Sequence, residues 1–459
     1  MASLLSSSSS TISRLTLLRK PSLHYSIKTL QKFHGHRKLS KLILPFLRAS
    51  TNYVPFSSRP KAQTANSFGQ DEELVVLGIE TSCDDTAAAV VSVVCGEQVR
   101  SSGEILSQVV SSQAELLVQY GGVAPKMAEE AHSLVIDQVV QEALDKANVT
   151  EEDLSAVAVT IGPGLSLCLR VGVRKARKLA GAYALPIVGI HHMEAHALVA
   201  RLVEKQLQFP FMALLVSDDA IGEAYDKTAK WLGLDMRKSG GPAVEELARE
   251  GDENSIGFKV PMKQHKDCNF SYAGLKTQAS LAIESKNIDA SIPIASASSE
   301  DRRARADIAA SFQRVAVLHL EDKCERAIEW ALKIEPCIKY LVVSGGVASN
   351  QYVRSRLNKI VEKKGLQLVC PPPSLCTDNG VMIAWTGIEH FRMGRYDPPP
   401  AACEPEDALF ELMNQLDLRP RWPLGEEYAE GKSEARSLKT ARLHPSLTSL
   451  IQASIQQQP

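Results

Sequence analysis

The chain has 459 residues, 44% of them hydrophobic and 23% charged, with nine cysteines and a formal net charge of −1. That length allows two or three domains, and the composition is that of a globular protein, not a disordered or fibrous one. No Cys-x-x-Cys pair is present, which argues against a zinc ribbon or disulfide framework, and no apolar run approaches the roughly 20 residues of a membrane-spanning helix.

Charge is unevenly distributed. No Asp or Glu precedes Asp71, whereas residues 1–70 hold a serine run at 6–10 and eleven basic side chains, among them Arg14, Arg19, Lys20, Arg37 and Arg48. Such a segment predicts an organellar transit peptide and linker over residues 1–70, with cleavage between 50 and 71. Removing its eleven positive charges takes the net charge from −1 to −12. Bulk charge then gives no support for nucleic-acid binding, and any such surface must be a local patch.

From residue 74 the pattern changes. Residues 74–80 and 87–95 are apolar runs separated by Thr81-Ser-Cys-Asp-Asp-Thr86, which predicts a hairpin whose tip offers hydroxyls and two carboxylates to a phosphate or cation. A solvated tip is the plainer reading of the same residues. Residues 115–147 read as helical with a break at 121–125, and 156–161 as a strand. Gly162-Pro-Gly-Leu165 then leads into a helix carrying Arg170, Arg174, Lys175, Arg177 and Lys178. The turn would let a ligand approach the backbone, and the basic stripe is either a solvated face or an RNA-facing patch.

Residues 185–188 predict a strand that enters Gly189-Ile-His-His-Met-Glu-Ala-His196. His192 and His196 stand four apart, one helical turn on the same face, and can take two corners of a divalent metal's coordination shell. The same pair would also serve a helix that is merely capped and packed. A third ligand must come from elsewhere, and Asp378 in Cys376-Thr-Asp-Asn-Gly380 is the candidate. Residues 210–216 form a further strand, and 217–227 open a helix. Ser239-Gly-Gly-Pro242 reads as a turn before a helix at 243–250, and 269–277 as a strand or loop entering another. Residues 290–307, ending in an acid–base run, are expected to be a surface loop before a long helix over 308–334. Residues 340–350 read as strand, glycine turn and helix start, the pattern of a nucleotide-contacting loop. A strand over 366–371 and a helix over 381–391 close the ordered part, and the Pro-rich, polar stretch 398–459 is expected to be peripheral.

Eight stretches taken together resemble the TsaD-type tRNA threonylcarbamoyladenosine transferases, once labelled O-sialoglycoprotein endopeptidases. They are Gly78-Ile-Glu-Thr-Ser-Cys-Asp-Asp-Thr-Ala, Gly162-Pro-Gly-Leu, His191-His-Met-Glu-Ala-His, Glu223-Ala-Tyr-Asp-Lys-Thr-Ala-Lys, Gly240-Gly-Pro, Ser271-Tyr-Ala-Gly-Leu-Lys-Thr, Ser344-Gly-Gly-Val-Ala-Ser-Asn and Cys376-Thr-Asp-Asn-Gly. They occur in order over residues 74–395, and the leader makes the mitochondrial branch the nearest likeness, with a chloroplast as alternative.

The resemblance implies an α/β actin-like ATPase fold of two lobes, each a mixed sheet flanked by helices. Its boundaries here would be 74–205 for the first lobe, 206–378 for the second and 379–397 for a helix returning to the first. It implies transfer of threonylcarbamoyl from threonylcarbamoyl-adenylate to N6 of the adenosine 3′ of the anticodon, in tRNAs reading codons that begin with adenine. By the same resemblance His192, His196 and Asp378 hold one divalent metal, iron or zinc, while Asp226, Gly241, Glu245 and Asn350 hold the adenylate, and the enzyme is a homodimer. The residue types suit that chemistry, since mixed His and carboxylate ligands leave positions open for substrate oxygens. No motif places a Ser-His-Asp or Cys-His nucleophile, so direct transfer is expected.

One departure stands out. Relatives carry Ser-Gly-Gly-His and two further strands where Val216-Ser217 here runs straight into Asp218-Asp219. The second lobe is therefore expected to lack two strands and the phosphate-cradling loop, and the chain to be weakly active or inactive. Three other readings compete: a metallopeptidase, a sugar or acetate kinase on the same fold, and an inactive isoform that only binds partners. The peptidase requires His-Glu-x-x-His, and Glu194 is misplaced for that in His192-Met-Glu-Ala-His196.

Overall fold

The computed structural model describes residues 73–94, 103–113, 124–216, 221–236, 239–401 and 418–425, together with a strand, β1 (Arg14–Leu18). The transit cleavage site and the junction at Ser217–Asp218 lie outside these residues.

The first lobe is built on β2 (Glu73–Glu80), β3 (Asp85–Val94), β4 (Gly103–Ser112), α1 (Pro125–Ala147), β5 (Ala156–Gly162), α2 (Ser166–Ala182), β6 (Ile187–His191) and α3 (His192–Leu198). Its strands lie in the order β4-β3-β2-β5-β6, antiparallel on the β3 side of β2 and parallel on the other. The apolar run that predicts β2 is continuous because both faces of the strand are covered. Leu77 and Ile79 pack with Val139, Val140 and Leu144 of α1, while Leu74 and Val76 join a second core that reaches the other lobe. β4 has no counterpart in the sequence reading.

The second lobe comprises β7 (Phe211–Leu215), α4 (Glu223–Trp231), α5 (Gly240–Ala248), α6 (Ala273–Ser285), α7 (Ser299–Ile334), β8 (Tyr340–Ser344), α8 (Gln351–Lys363) and β9 (Gln367–Val369). A final helix, α9 (Gly380–Arg392), returns to the first sheet, where Ala384 and Ile388 share a core with Val76 and Ala158. The strand order of the second sheet is β1-β7-β8-β9, with β1 antiparallel to β7 and the others parallel. The two sheets repeat one topology, as an actin-like α/β fold requires. β7 corresponds to β2, β8 to β5 and β9 to β6, while β1, from the amino-terminal segment, occupies the place that β3 holds in the first sheet. The two strands expected to be missing have no counterpart between β7 and α4 among the described residues.

Two expectations need correction. Residues 299–307 are the opening turns of α7, not a surface loop. Ser298 Oγ caps the helix by accepting from the Asp301 N–H at 3.1 Å, and Glu300 and Asp301 lie in its first turn. Arg305 is fully buried, its guanidinium donating to Asp301 and to the carbonyls of Leu232, Asp289 and Ile292. Residues 240–242 likewise belong to α5 and not to a turn before it.

Candidate metal centre

α3 begins where β6 ends, so His192 emerges at the carboxyl edge of the first sheet and His196 follows one turn later. Asp378 is held just before α9. Its neighbour Asn379 caps that helix, Oδ1 accepting from the Met382 N–H at 2.8 Å. Residues 182 apart in sequence thereby meet. Asp378 Oδ1 lies 3.0 Å from His196 Nε2 and 3.4 Å from His192 Nε2. The two imidazoles stand edge to face with centroids 4.7 Å apart, and the three ligand atoms fall within 4.8 Å of one another.

Sequence reasoning missed the support beneath this cluster. Glu80, at the end of β2 and fully buried, accepts from His192 Nδ1 at 3.1 Å and from the Ser82 N–H at 2.5 Å, and the Thr160 hydroxyl donates to it as well. Ser82 Oγ is 3.2 Å from the same His192 nitrogen. The available signal was a lone carboxylate inside the apolar run 74–80.

Charges concentrate around His192. Burial opposes its protonation, but Asp378 and Glu80 raise its pKa well above the usual imidazole value through charge and hydrogen bonds. Burial also opposes ionisation of Asp378, and the two histidines reverse this, holding the carboxyl well below the usual range. For Glu80 the effect of burial is outweighed in the same way by His192, and its pKa falls. At the hairpin tip, burial and then the charges of Asp84 and Asp378 push Asp85 up to about 7. Two carboxyl groups, Glu80 and Asp378, thus crowd two imidazoles, and His196 Nδ1 is buried without a hydrogen-bond partner. This donor set, oxygen and nitrogen at the carboxyl edge of a sheet, fits a divalent cation.

The four residues expected at the adenylate lie in the second lobe. Asp226 on α4 accepts from the Gly240 N–H at 2.8 Å and from the Ser239 hydroxyl at 3.4 Å, and burial raises its pKa. Gly241 faces open space. Glu245 reaches from α5 to accept from the Gln351 N–H at 2.8 Å, and Asn350 caps α8 while its amide donates to Gln313 at 2.9 Å. Glu245, Gln313 and Gln351 line a cleft of about 350 Å³ together with Glu253 and Tyr352.

Two glycine turns differ from expectation, because chain fills the space left for a ligand. A Cβ on Gly162 would collide with the Arg419 carbonyl, and one on Gly345, at φ 101°, with the Val216 carbonyl. The basic residues of α2 are at least partly exposed, and Lys175 Nζ pairs with Asp137 at 2.7 Å.

Residues 104–217 and 217–385 match the TsaD family, tRNA N6-adenosine threonylcarbamoyltransferase, in two stretches that meet at Ser217. A protein of Arabidopsis thaliana described as a probable mitochondrial tRNA N6-adenosine threonylcarbamoyltransferase is 72% identical, over 88% of this chain and 85% of its own. A protein of Xenopus tropicalis described as the mitochondrial tRNA N6-adenosine threonylcarbamoyltransferase is 40% identical, over 70% of this chain and 83% of its own. Among solved structures, HypF of T. kodakarensis aligns with a TM-score of 0.41 at 14% identity, covering 71% of this chain and 48% of that one.

Proposed function

The chain belongs to the TsaD family of tRNA N6-adenosine threonylcarbamoyltransferases, and from that premise we propose how its two lobes divide the work. The enzyme modifies tRNA by transferring a threonylcarbamoyl group to N6 of adenosine, and it is mitochondrial. In our reading the donor is threonylcarbamoyl-adenylate and the acceptor is the adenosine 3′ of the anticodon in tRNAs for codons beginning with adenine.

His192, His196 and Asp378 would hold one divalent ion, iron or zinc. Bound there, the ion supplies Lewis acidity toward the carbamoyl carbonyl. Glu80 keeps the His192 proton on Nδ1, so that Nε2 faces Asp378. In the second lobe the Asp226 carboxylate suits ribose hydroxyls, and the open side of Gly241 leaves room for the adenosine. Glu245 lines the cleft from α5, and Asn350 lies behind it, holding the lining residue Gln313. The exocyclic amine attacks the carbonyl carbon, the bond from that carbon to the phosphate oxygen breaks with its electron pair leaving on AMP, and the amine gives up one proton to water, without an enzyme nucleophile. Burial pushes the Cys168 and Cys268 thiols up to about 12, which leaves them little thiolate with which to attack. We read the enzyme as a homodimer.

The meeting of three ligand atoms within 4.8 Å carries this reading. The peptidase alternative lacks its general base, since Glu194 is turned away to accept from His390 Nε2 at 3.3 Å. The test is elemental analysis of the protein beside a transfer assay with tRNA transcript and freshly generated adenylate, scored by nucleoside mass spectrometry on the chain given a relative's Ser-Gly-Gly-His segment between Val216 and Asp218, because transfer without that segment should be weak. Loss of both metal and product in a His192→Ala/His196→Ala variant is expected. In the segment-bearing chain, metal content and product unchanged by the double substitution would refute the assignment.

A further inference from the structure

Residues 418–425 lie across the turn that follows β5, and their main chain is tied there at two points. The Arg419 N–H donates to the Ile161 carbonyl at 2.7 Å, and the Gly164 N–H donates to the Pro420 carbonyl at 3.3 Å. Gly162 makes this approach possible, because a Cβ there would occupy the place of the Arg419 carbonyl. Three residues on, the Trp422 ring packs against the His191 ring with centroids 4.5 Å apart, and the Arg419 guanidinium lies 4.5 Å from the Trp422 centroid.

His191 is buried, and its two nitrogens do different things. Nδ1 faces the N–H groups of Met193 and Glu194, at 3.1 and 3.3 Å, so it caps α3. Nε2 faces the Trp422 carbonyl at 3.1 Å. A backbone N–H only donates and a carbonyl only accepts, so one tautomer satisfies both sides, with Nδ1 bare and the proton on Nε2. A single ring therefore joins the carboxy-terminal segment to the start of α3. That helix has only seven residues, and His192 is its first, so the cap sets where the first metal ligand points.

We propose that residues 418–424 act as a strap that positions the metal-bearing helix through His191, which makes His191 and Trp422 positioning residues for the centre of His192, His196 and Asp378. The inference rests on the metal reading above. It extends that reading by naming what holds α3 to the tolerance of about 0.5 Å that ligand geometry requires. A strap that only stabilised the edge of the lobe would leave ligand geometry untouched once folding was complete, and this gives the two roles different signatures.

The experiment uses the full chain with cobalt(II) alone as probe, reading affinity by chelator competition and ligand geometry from the visible spectrum. Trp422→Ala should weaken cobalt binding about 10-fold, in the range of outer-shell changes, and alter the spectrum. His191→Asn retains a capping acceptor but lacks the reach to Trp422, and should do the same. Trp422→Ala removes the ring contact and keeps the main-chain carbonyl, whereas His191→Asn removes both contacts, so the double variant should be no worse than His191→Asn alone. Truncation after residue 417 removes the strap outright, ring and carbonyl together, and should match His191→Asn. Ile328→Ala, in the core of the second lobe and remote from the strap, should keep the original affinity and spectrum at comparable loss of stability. Unchanged affinity and spectrum in Trp422→Ala, additive losses in the double variant, or an equal loss in Ile328→Ala would each overturn the strap alone. Absence of stoichiometric cobalt binding by the unaltered chain, or its persistence in His192→Ala/His196→Ala, would overturn the metal reading and the strap with it.

Discussion

Glu80 Oε2 and His192 Nδ1 lie 3.1 Å apart in the interior of the first lobe, with the carboxylate fully buried. Because a carboxylate only accepts, a proton stays on Nδ1 of His192, and Nε2, beside Asp378, is the nitrogen that gives up its proton when a cation binds. Glu80→Gln keeps the volume and removes the charge, and it should lower metal affinity about 10- to 100-fold. Chelator competition checks this. Affinity equal to that of the unaltered chain would show that Glu80 is only a partner for Thr160 and Ser82.

Metal binding should release a proton. The pKa of His192 is raised well above the usual imidazole value despite burial, through the charges and hydrogen bonds of Asp378 and Glu80. With the metal chelated, this raised pKa stabilises the fold, fully below the unfolded-state pKa of about 6.5 and progressively less as pH rises through the folded value. Loading the ion displaces the proton from Nε2, so below the folded pKa each unit of pH should change affinity about 10-fold, binding being tighter at higher pH. Calorimetry in buffers of different ionisation enthalpy counts the proton, and pH-independent affinity from pH 6 to 8 would contradict the assignment.

His191 and His319 should make the fold acid-sensitive. Burial lowers both to about 4, with Lys323 adding to the effect at His319. Their unfolded values lie near 6.5. Here the sign is opposite to that of His192, because the unfolded chain binds the protons first. Stability from this pair is present above pH 6.5 and is lost as pH falls from about 6.5 toward 4. Denaturant midpoints measured over that range should fall, and His319→Gln, which cannot charge, should flatten the slope. An unchanged slope would place the acid sensitivity elsewhere.

Much of this molecule was legible where burial leaves a regular pattern. β2 and β3 announced themselves as apolar runs because both faces are covered, and the spacing of His192 and His196 gave one face of a short helix. β4 escaped because it sits at the sheet edge, half exposed, with Ile105 and Val110 among polar residues. The first turns of α7 escaped because a charge-rich segment reads as solvated, and nothing local reveals that Arg305 will find three carbonyls inside the lobe. The partner of Gly162 escaped for a similar reason. Arg419 is far along the chain, in a stretch whose composition predicts only periphery.

Gly78 offers a test of how packing sets the site. A Cβ there would run into the backbone of Ala384 and Gly380 in α9, while Gly380 itself lies against the backbone of Ala88 and Ala89. Gly78→Ala must therefore push α9 from the sheet, at a cost of about 1–3 kcal/mol or more. Since α9 begins directly after Asp378, the variant should lose metal affinity as well as stability. Denaturant unfolding and cobalt titration on one preparation would decide it, and full affinity at reduced stability would show that Asp378 is positioned independently of the helix.

The last prediction concerns the junction at Ser217, where the two family matches meet. In the first sheet β2 is flanked by β3 and β5. In the second, β7 has β8 on one side and β1 on the other, paired from Arg14↔Leu215 to Leu18↔Phe211. An amino-terminal strand thus covers the edge of β7 that faces away from β8. Removing residues 1–71, the expected transit peptide, should expose that edge, and each unpaired buried backbone group costs about 1–3 kcal/mol against a total of about 5–15 kcal/mol. Neither form carries the glycine loop for the adenylate phosphate, so transfer by both should be weak. Four proteins separate these effects: with and without residues 1–71, each with and without a relative's Ser-Gly-Gly-His segment between Val216 and Asp218. We expect the lowest denaturation midpoint in the truncated chain without the segment, recovery of stability when the segment is restored, and appreciable transfer only in the two chains that carry it. Equal midpoints and equal transfer rates for the truncated pair would show that the segment is dispensable and that β7 tolerates an open edge.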